Sequence, residues 1–205
     1  MVTPMRITVL LLLVFTLVAL PAFSQDANEE EELFVPVYSL GDQTLRINLG
    51  LFAPLFFLGG PGGPVAGKLT LGGAGSLAWE SYLTNEFTVG AEIGGSFSFT
   101  ENLRALFMVP IAARASYIFR FYPFEMPVTL GLGINFSALD DYRKIDPFAK
   151  AGTAFYWNYS SQWAFGANLF YWFVPQFYSA SSPAGADATR YGNFLEFTLS
   201  ALYHF

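Results

Sequence analysis

The chain has 205 residues, of which 53% are hydrophobic, 19% aromatic and only 13% charged. That charged fraction is about half of the roughly 25% found in soluble proteins, so the chain needs either a very large core or contact with lipid. It contains no cysteine and a single histidine, which excludes a disulfide framework, thiol chemistry and the common zinc sites. The net charge of −6 comes mostly from one acidic stretch, and the sequence has no basic face for nucleic acid.

The first 24 residues have the pattern of a cleaved secretory signal peptide. Arg6 precedes an apolar run from Ile7 to Leu20, and the small residues Ala22 and Ser24 flank the expected cleavage site. An N-terminal membrane anchor is the alternative, but the run is short and lacks a stop-transfer flank. We therefore predict a signal peptide at 1–24.

The next segment, 25–43, is acidic and precedes the first regular pattern. It contains the acidic run Glu29–Glu32, which is typical of a solvated leader. The alternative is that residues 34–38 pack against the mouth of the folded domain.

From Thr44 onward the chain repeats one unit, in which alternating apolar and polar residues are followed by a connection. A period of two residues is typical of a β-strand whose two faces meet different environments. The pattern is clearest from Phe87 to Phe99, where every second residue is apolar or glycine. The eight predicted strands are 44–57, 68–83, 87–99, 107–121, 128–137, 148–159, 163–174 and 191–205.

Two of the connections are predicted from their composition. The segment Tyr122–Pro127 contains two prolines and is expected to form a turn. The segment Leu139–Asp146 carries several charges and is expected to form a loop.

The two faces of the predicted strands differ in charge. The apolar face carries no Lys, Arg, Asp or Glu, whereas the opposite face carries Arg46, Lys68, Glu80, Glu92, Arg114, Arg120, Lys150 and Glu196. Because a Lys or Arg facing lipid at the bilayer midplane costs about 2–4 kcal/mol, this sorting indicates that the apolar face meets lipid. Aromatic residues gather at the strand ends, as in the interfacial belts of a spanning barrel. We predict an all-β fold, an eight-stranded antiparallel up-and-down transmembrane β-barrel over 44–205.

The last predicted strand places Phe197, Leu199, Tyr203 and the terminal Phe205 on its apolar face. It resembles the final strand of bacterial outer-membrane β-barrels, in which alternating apolar residues ending in Phe are the signal that the insertion machinery reads. The resemblance implies an outer-membrane location, contact with outer-membrane lipid and recognition by the barrel assembly machinery. It also implies a periplasmic position for residues 25–43. We further expect a monomer.

The interior of such a barrel is wide enough only for side chains or one small ligand, so a general porin is not expected. Buried charges have to be paired, and folding the third and fourth strands about their loop places Glu92 and Arg114 opposite each other. We interpret the interior charges as a structural network in a largely plugged lumen, with a selectivity or gating pair as the alternative. Five bases against three acids leave two positive charges in surplus, which would favour a small anion.

Enzymatic activity is not expected. The palmitoyltransferase and lipid A deacylase families resemble this chain in fold, but their chemistry uses a His with a Ser and an acid near the outer rim. The single histidine, His204, is the penultimate residue, so it belongs at the periplasmic end and cannot serve as a base at the outer rim. Asp140, Asp141 and Asp146 lack the pattern of a calcium loop, and we expect no metal and no cofactor.

Two functional hypotheses remain. One is a structural or surface-interaction barrel that resembles the OmpA and OmpX barrels, whose outer loops meet partners. The other is a narrow channel that resembles OmpW and carries small, partly apolar or anionic solutes. The aromatic residues expected to point inward, as core filling or as a ligand track, are Phe52, Phe56, Tyr82, Phe148, Phe170, Trp172 and Phe194.

Overall fold

The computed structural model describes residues 37–59, 65–66, 69–139, 142–178 and 189–205, with the backbone alone at 65–66 and 142. The predicted signal peptide, the acidic run Glu29–Glu32 and Lys68 lie outside these residues. Within them, no helix has the length and hydropathy needed to cross a membrane.

The described chain is built from antiparallel strands joined in sequence order. Eight long strands form the barrel wall, and a two-residue piece, β2, pairs only with β1. Because β1 pairs with β3 on one side and with β9 on the other, the sheet closes on itself, and the predicted eight-stranded up-and-down barrel is confirmed. The strands are β1 (Gln43–Leu58), β2 (Val65–Ala66), β3 (Gly72–Tyr82), β4 (Phe87–Phe99), β5 (Ala105–Phe121), β6 (Phe124–Leu139), β7 (Tyr142–Asn158), β8 (Trp163–Gln176) and β9 (Arg190–His204).

The faces of the strands are sorted as the alternation predicts. In β5, Ile111 and Tyr117 are exposed on the outside of the barrel, whereas Arg114 and Ser116 are buried inside it. Exposed apolar residues around buried polar ones reverse the arrangement of a soluble protein and are expected where the outer surface meets hydrocarbon.

The expected loop at Leu139–Asp146 is wrong. β6 continues to Leu139, and β7 begins opposite it at Tyr142, so the connection is only residues 140–141. Lys144 and Asp146 form an ion pair of 2.9 Å at the inner face of β7, and their charge therefore reflects an interior pair rather than a solvated loop. Arg143 is exposed on the outer face at the start of the same strand, where a long side chain can reach the membrane interface.

The expected turn at Tyr122–Pro127 is also shorter than predicted. β6 begins at Phe124, and Phe121 pairs with Phe124, so only Tyr122 and Pro123 connect the strands. Glu125 consequently lies on the inner face of β6, where its carboxylate is 2.9 Å from Arg120 Nε. The two prolines therefore led to a predicted turn that is longer than the one in the structure.

The wall departs from simple alternation near the end of the barrel opposite the start of β1 and the end of β9. A register shift in β1 between Pro54 and Phe56 moves Phe56 to the outside, so its predicted inward position is wrong. Phe57 lies inside instead and packs edge-on against Phe194 with ring centroids 5.7 Å apart. A bulge adds one residue to one strand and reverses the faces beyond it, which no local pattern in the sequence indicates.

The second predicted strand, 68–83, corresponds to β3 and begins later than predicted. β3 starts at Gly72, and Leu69 makes only an isolated bridge to Thr100. The side chain of Leu69 packs against the interior apolar cluster rather than facing outward as expected.

Glycines on the inner face permit close contact between neighbouring strands. A side chain at Gly133 would overlap the backbone carbonyl oxygen of Ile111 on β5. Gly95 differs, because it lies on the outer face of β4 and a Cβ built there meets no atom within 4 Å.

A charge placed on the outer face should test the lipid-facing assignment. Leu132 is exposed near the middle of β6, and Leu132→Arg is expected to lower the free energy of unfolding in phospholipid vesicles by about 2–4 kcal/mol. Val128→Arg, nearer the strand end, is the matched control and should cost about 0–1 kcal/mol. Equal effects at the two positions, measured by urea titration, would contradict the assignment.

The inner-face glycine gives a second stability test. Gly133→Ala is expected to destabilise the barrel by about 1–3 kcal/mol, because the added methyl forces the backbones of β5 and β6 apart. Gly95→Ala should change the free energy of unfolding by less than about 0.5 kcal/mol. A neutral Gly133→Ala variant in the same titration would show that the close approach is not required.

Candidate functional site

Six charged side chains inside the barrel form a linear series of ion pairs in which bases and acids alternate. We call this series the buried charge chain; its members, in spatial order, are Arg46, Glu80, Arg114, Glu92, Lys150 and Glu196. Arg46 Nη2 lies 3.0 Å from Glu80 Oε2, and Arg114 Nη1 lies 2.5 Å from Glu92 Oε2. Lys150 Nζ lies 2.6 Å from Glu92 and 2.9 Å from Glu196. The link between Arg114 Nε and Glu80 Oε1, at 3.3 Å, is an ion pair without hydrogen-bond geometry.

The members of the buried charge chain come from β1, β3, β4, β5, β7 and β9. Across the β4–β5 ladder Glu92 faces Ala112, and Arg114 faces Gly90, so the predicted direct opposition of Glu92 and Arg114 is wrong by two residues. The two side chains meet diagonally instead, and the small partners at 90 and 112 leave room for them. Six of the eight long strands thus contribute to one network across the lumen.

Hydroxyl and indole groups complete the hydrogen bonds of the acids. Ser116 Oγ donates to Glu80 Oε1 at 2.6 Å, and Thr88 Oγ1 donates to the same oxygen at 3.2 Å. Trp172 Nε1 donates to Glu196 Oε2 at 2.6 Å. A buried ion pair is tolerated only when its remaining donors and acceptors are also satisfied, and these bonds do that for the carboxylates.

The interior ion pairs of the described residues are balanced in charge. Outside the buried charge chain, Arg120 pairs with Glu125 and Lys144 pairs with Asp146. Together with the three bases and three acids of the buried charge chain, these two pairs give five bases and five acids. The expected surplus of two positive charges is therefore wrong for this part of the molecule. Two inward acids, Glu125 and Asp146, and one inward base, Lys144, had been assigned to connections. Lys68, the eighth predicted interior charge, lies outside the described residues.

A cluster of neutral polar side chains lies beside the buried charge chain and was not identified from the sequence. Asn168 Nδ2 donates to Thr198 Oγ1 at 2.9 Å, and Ser200 Oγ donates to Asn48 Oδ1 at 2.7 Å. Tyr156 OH donates to Asn168 Oδ1 at 2.7 Å. The available signal was that all of these residues occupy inward positions of the alternation, but a neutral side chain is less conspicuous there than a charge.

The interior toward the end opposite the termini is filled by aromatic rings. The ring of Phe52 stacks on Phe194 with centroids 5.0 Å apart, and Trp172 contacts both Phe52 at 4.9 Å and Phe148 at 5.0 Å. Lys150 Nζ lies 4.3 Å from the centroid of Phe170, which joins this aromatic layer to the buried charge chain. All five rings belong to the buried apolar cluster.

The end of the barrel at which β1 begins and β9 ends, called the terminal end, is covered by Tyr38, just before β1. Its ring stacks on Tyr82 and on His204, with centroids 4.4 and 4.7 Å apart. The alternative prediction that residues 34–38 pack against the mouth is therefore confirmed for Tyr38 and wrong for Val37, which is exposed, while residues 34–36 lie outside the described residues. His204 is buried, and neither ring nitrogen has a hydrogen-bond partner among the described residues.

The last two predictions concern a metal site and the assembly signal in the last strand. Within the described residues, no group of three or more His, Cys, Asp or Glu is placed to hold a metal ion. The residues predicted to form the assembly signal follow the outer face of β9 and the residue after it: Phe197, Leu199 and Phe205 are exposed, and Tyr203 is half-buried.

Comparison with known proteins places the chain among small barrels. Uncharacterized proteins of Treponema pallidum and Borreliella burgdorferi are 27% and 25% identical, over 80% and 70% of this chain and 78% and 77% of their own lengths. Neisserial surface protein A has a similar structure, with a TM-score of 0.60 and 10% identity over 80% of this chain and 97% of its own. The outer membrane protein OprG from Pseudomonas aeruginosa has a TM-score of 0.53 and 11% identity, over 82% of this chain and 98% of its own.

At these identities the structural likeness establishes the fold, which is that of the small eight-stranded bacterial outer-membrane β-barrels. A family model without a functional description matches residues 24–203, nearly the whole chain. The protein therefore belongs to the family that this model describes, and its fold is that of a transmembrane β-barrel.

Proposed function

We propose that the protein is an integral outer-membrane β-barrel with a structural or surface-interaction role and a lumen closed to solutes. Its apolar outer face supports residence in a membrane, and the barrels that it resembles are described as a surface protein and an outer membrane protein. In this arrangement the end that carries the termini faces the periplasm, with residues 25–43 on that side.

The observation that carries the closed lumen is the buried charge chain spanning six strands. Interior residues at several levels, among them Asn135, Val174 and Thr198, are 0% exposed, which supports a lumen filled by side chains at these levels. An eight-stranded barrel is narrow enough for side chains to fill it. Breaking the ion pairs of the buried charge chain to admit a solute would leave charges without partners in a low-dielectric interior, which is costly.

A narrow channel for small, partly apolar solutes is the second candidate. The continuous contacts of Phe52, Phe194, Trp172 and Phe148 favour it, because these rings would line a path if the neighbouring ion pairs separated. The balanced charges described above remove the reason to expect an anionic solute.

We also propose that the barrel assembly machinery recognises the last strand. The exposed Phe197, Leu199 and Phe205 on its outer face support this, since they are accessible before lipid covers them. The backbone of Phe205 exchanges two hydrogen bonds of 3.0 Å with Gln43, so the terminal residue also completes the seam between the first and last strands. The protein acts as a monomer in this proposal.

Solute flux tests the closed lumen. Refolded protein is expected to give no stepwise conductance in planar lipid bilayers and no swelling of liposomes in small sugars or amino acids. Measurable flux through the unaltered protein would overturn the closed lumen and support the channel.

The variant Glu92→Ala tests whether the buried charge chain maintains closure. It removes the acceptor shared by Arg114 and Lys150, which is expected to cost about 3–5 kcal/mol of stability and to raise conductance as water reaches the two cations. Ser98→Ala is the matched control, because Ser98 is buried inside the barrel but does not belong to the buried charge chain. A Glu92→Ala barrel that is destabilised yet as impermeable as the parent would assign closure to the aromatic layer instead.

A further inference from the structure

The segment before β1, residues 37–42, is folded against the barrel end rather than extended away from it. Tyr38 N donates to Asn85 Oδ1 at 3.0 Å, and Ser39 N donates to Asp42 Oδ2 at 2.7 Å. Gly41 N donates to the carbonyl oxygen of Tyr82 at 3.0 Å. Gly41 has a φ of 99°, a conformation that favours glycine. The sequence thus provides for a specific turn at this position.

The turn places the ring of Tyr38 over the interior side chains. Its plane is 4° from that of Tyr82 and 19° from that of His204. The guanidinium carbon of Arg120 lies 4.8 Å from the Tyr38 centroid, within the range of a cation–π contact. Arg120 is itself held by Glu125 at 2.9 Å, so the ring rests on a fixed base.

The contacts of Tyr38 come from parts of the barrel that are far apart in sequence. Tyr82 ends β3, Asn85 lies in the following turn, Arg120 is in β5, and His204 ends β9. β3 and β9 lie on opposite sides of β1, so the ring bridges the seam at which the barrel closes. Contacts with all four residues are more than the start of β1 requires, so they indicate that Tyr38 has a further role.

His204, which the ring contacts, and the inner-face residue opposite it in β1 are polar and buried. His204 is 6% exposed and Thr44, its cross-strand partner, is 3% exposed. Burial raises the pKa of the Tyr38 hydroxyl above its ordinary value, and the nearby Glu125 carboxylate raises it further, so the ring remains uncharged. An uncharged aromatic ring can cover the imidazole without adding a charge to the balanced interior.

We propose that residues 37–42 act as a resident plug of the terminal mouth, with Tyr38 as the group that excludes water from His204 and Thr44. The proposal rests on the closed outer-membrane barrel argued above and adds a second, separate closure on its periplasmic side. Displacing the plug opens the mouth as far as Thr44 while the buried charge chain stays intact.

Thiol labelling tests the plug, because the natural chain has no cysteine. One reporter is Thr44→Cys, on the inner face opposite His204, and the reference is Ser98→Cys, which is 1% exposed on the inner face near the opposite end of the barrel. Each is refolded in phospholipid vesicles, with folding verified by a heat-modifiable gel shift, and treated with a charged, membrane-impermeant methanethiosulfonate reagent added on both sides of the bilayer.

Both cysteines should react slowly when Tyr38 is present. Tyr38→Ala is expected to accelerate labelling of Thr44→Cys by about tenfold, because the rate follows the population of the open mouth, and to leave Ser98→Cys unchanged. Tyr38→Phe retains the ring and should keep both slow. Tyr38→Leu, which is apolar but cannot stack, replaces Tyr38→Ala if the latter does not fold.

Each other outcome is decisive. An unchanged rate at Thr44→Cys when Tyr38 is removed would overturn the plug. Acceleration at both cysteines would also overturn it, because the contacts would then support the barrel as a whole. Rapid labelling of Thr44→Cys with Tyr38 in place would overturn the plug as well, whereas failure of the closed lumen is detected separately, as solute flux through the unaltered protein.

Discussion

The structure depends on the hydrogen bonds between β1 and β9. In hydrocarbon an unpaired backbone amide or carbonyl has no water to bond and costs several kcal/mol, so an open sheet is excluded from the membrane. The β1–β9 ladder runs from Thr44 opposite His204 to Leu58 opposite Tyr191, and it gives each of the long strands a partner on both sides. The residue that follows β9, Phe205, hydrogen-bonds at this seam. The segment that precedes β1 hydrogen-bonds to Tyr82 and Asn85 on the β3 side of β1, and it contacts β9 through the ring of Tyr38 stacked on His204.

Closure with only eight strands has a direct effect on the interior. The space inside is about as wide as the side chains that point into it, and large and small residues have to be matched across it. Gly90 and Ala112 accompany the long side chains of Arg114 and Glu92. The same narrowness brings charges from different strands within bonding distance, so the polar interior becomes one connected network.

The fold could be predicted from the sequence because lipid outside and a filled lumen inside impose the same two-residue period on every strand. The faces of Arg46, Glu80, Glu92 and Lys150 follow from that period alone. The period does not determine where strands end, and charged or proline-containing strand ends such as Lys144 and Pro127 resemble loops. The bulge at Pro54–Phe56 is a further limit, because one added residue exchanges Phe56 with Phe57 without altering composition.

The sequence allowed prediction of which charged residues lie inside the barrel, but not of which acid pairs with which base. Which acid meets which base depends on the stagger between strands that are distant in sequence, as in the contact of Lys150 with Glu92 and Glu196. The position of Tyr38 depends on contacts with three strands and a turn, so its neighbours in the sequence carry little information about it.

The linear order of the buried charge chain also constrains how the family can evolve. Among the residues that the structure describes, Arg46 and Glu196 stand at its ends with one ionic partner each, whereas the four residues between them have two. Losing Arg46 together with Glu80 shortens the series and keeps it neutral, while losing Arg114 alone divides it into two fragments of unequal charge. Substitutions among relatives should accordingly occur as adjacent acid–base couples and start from either terminus of the series.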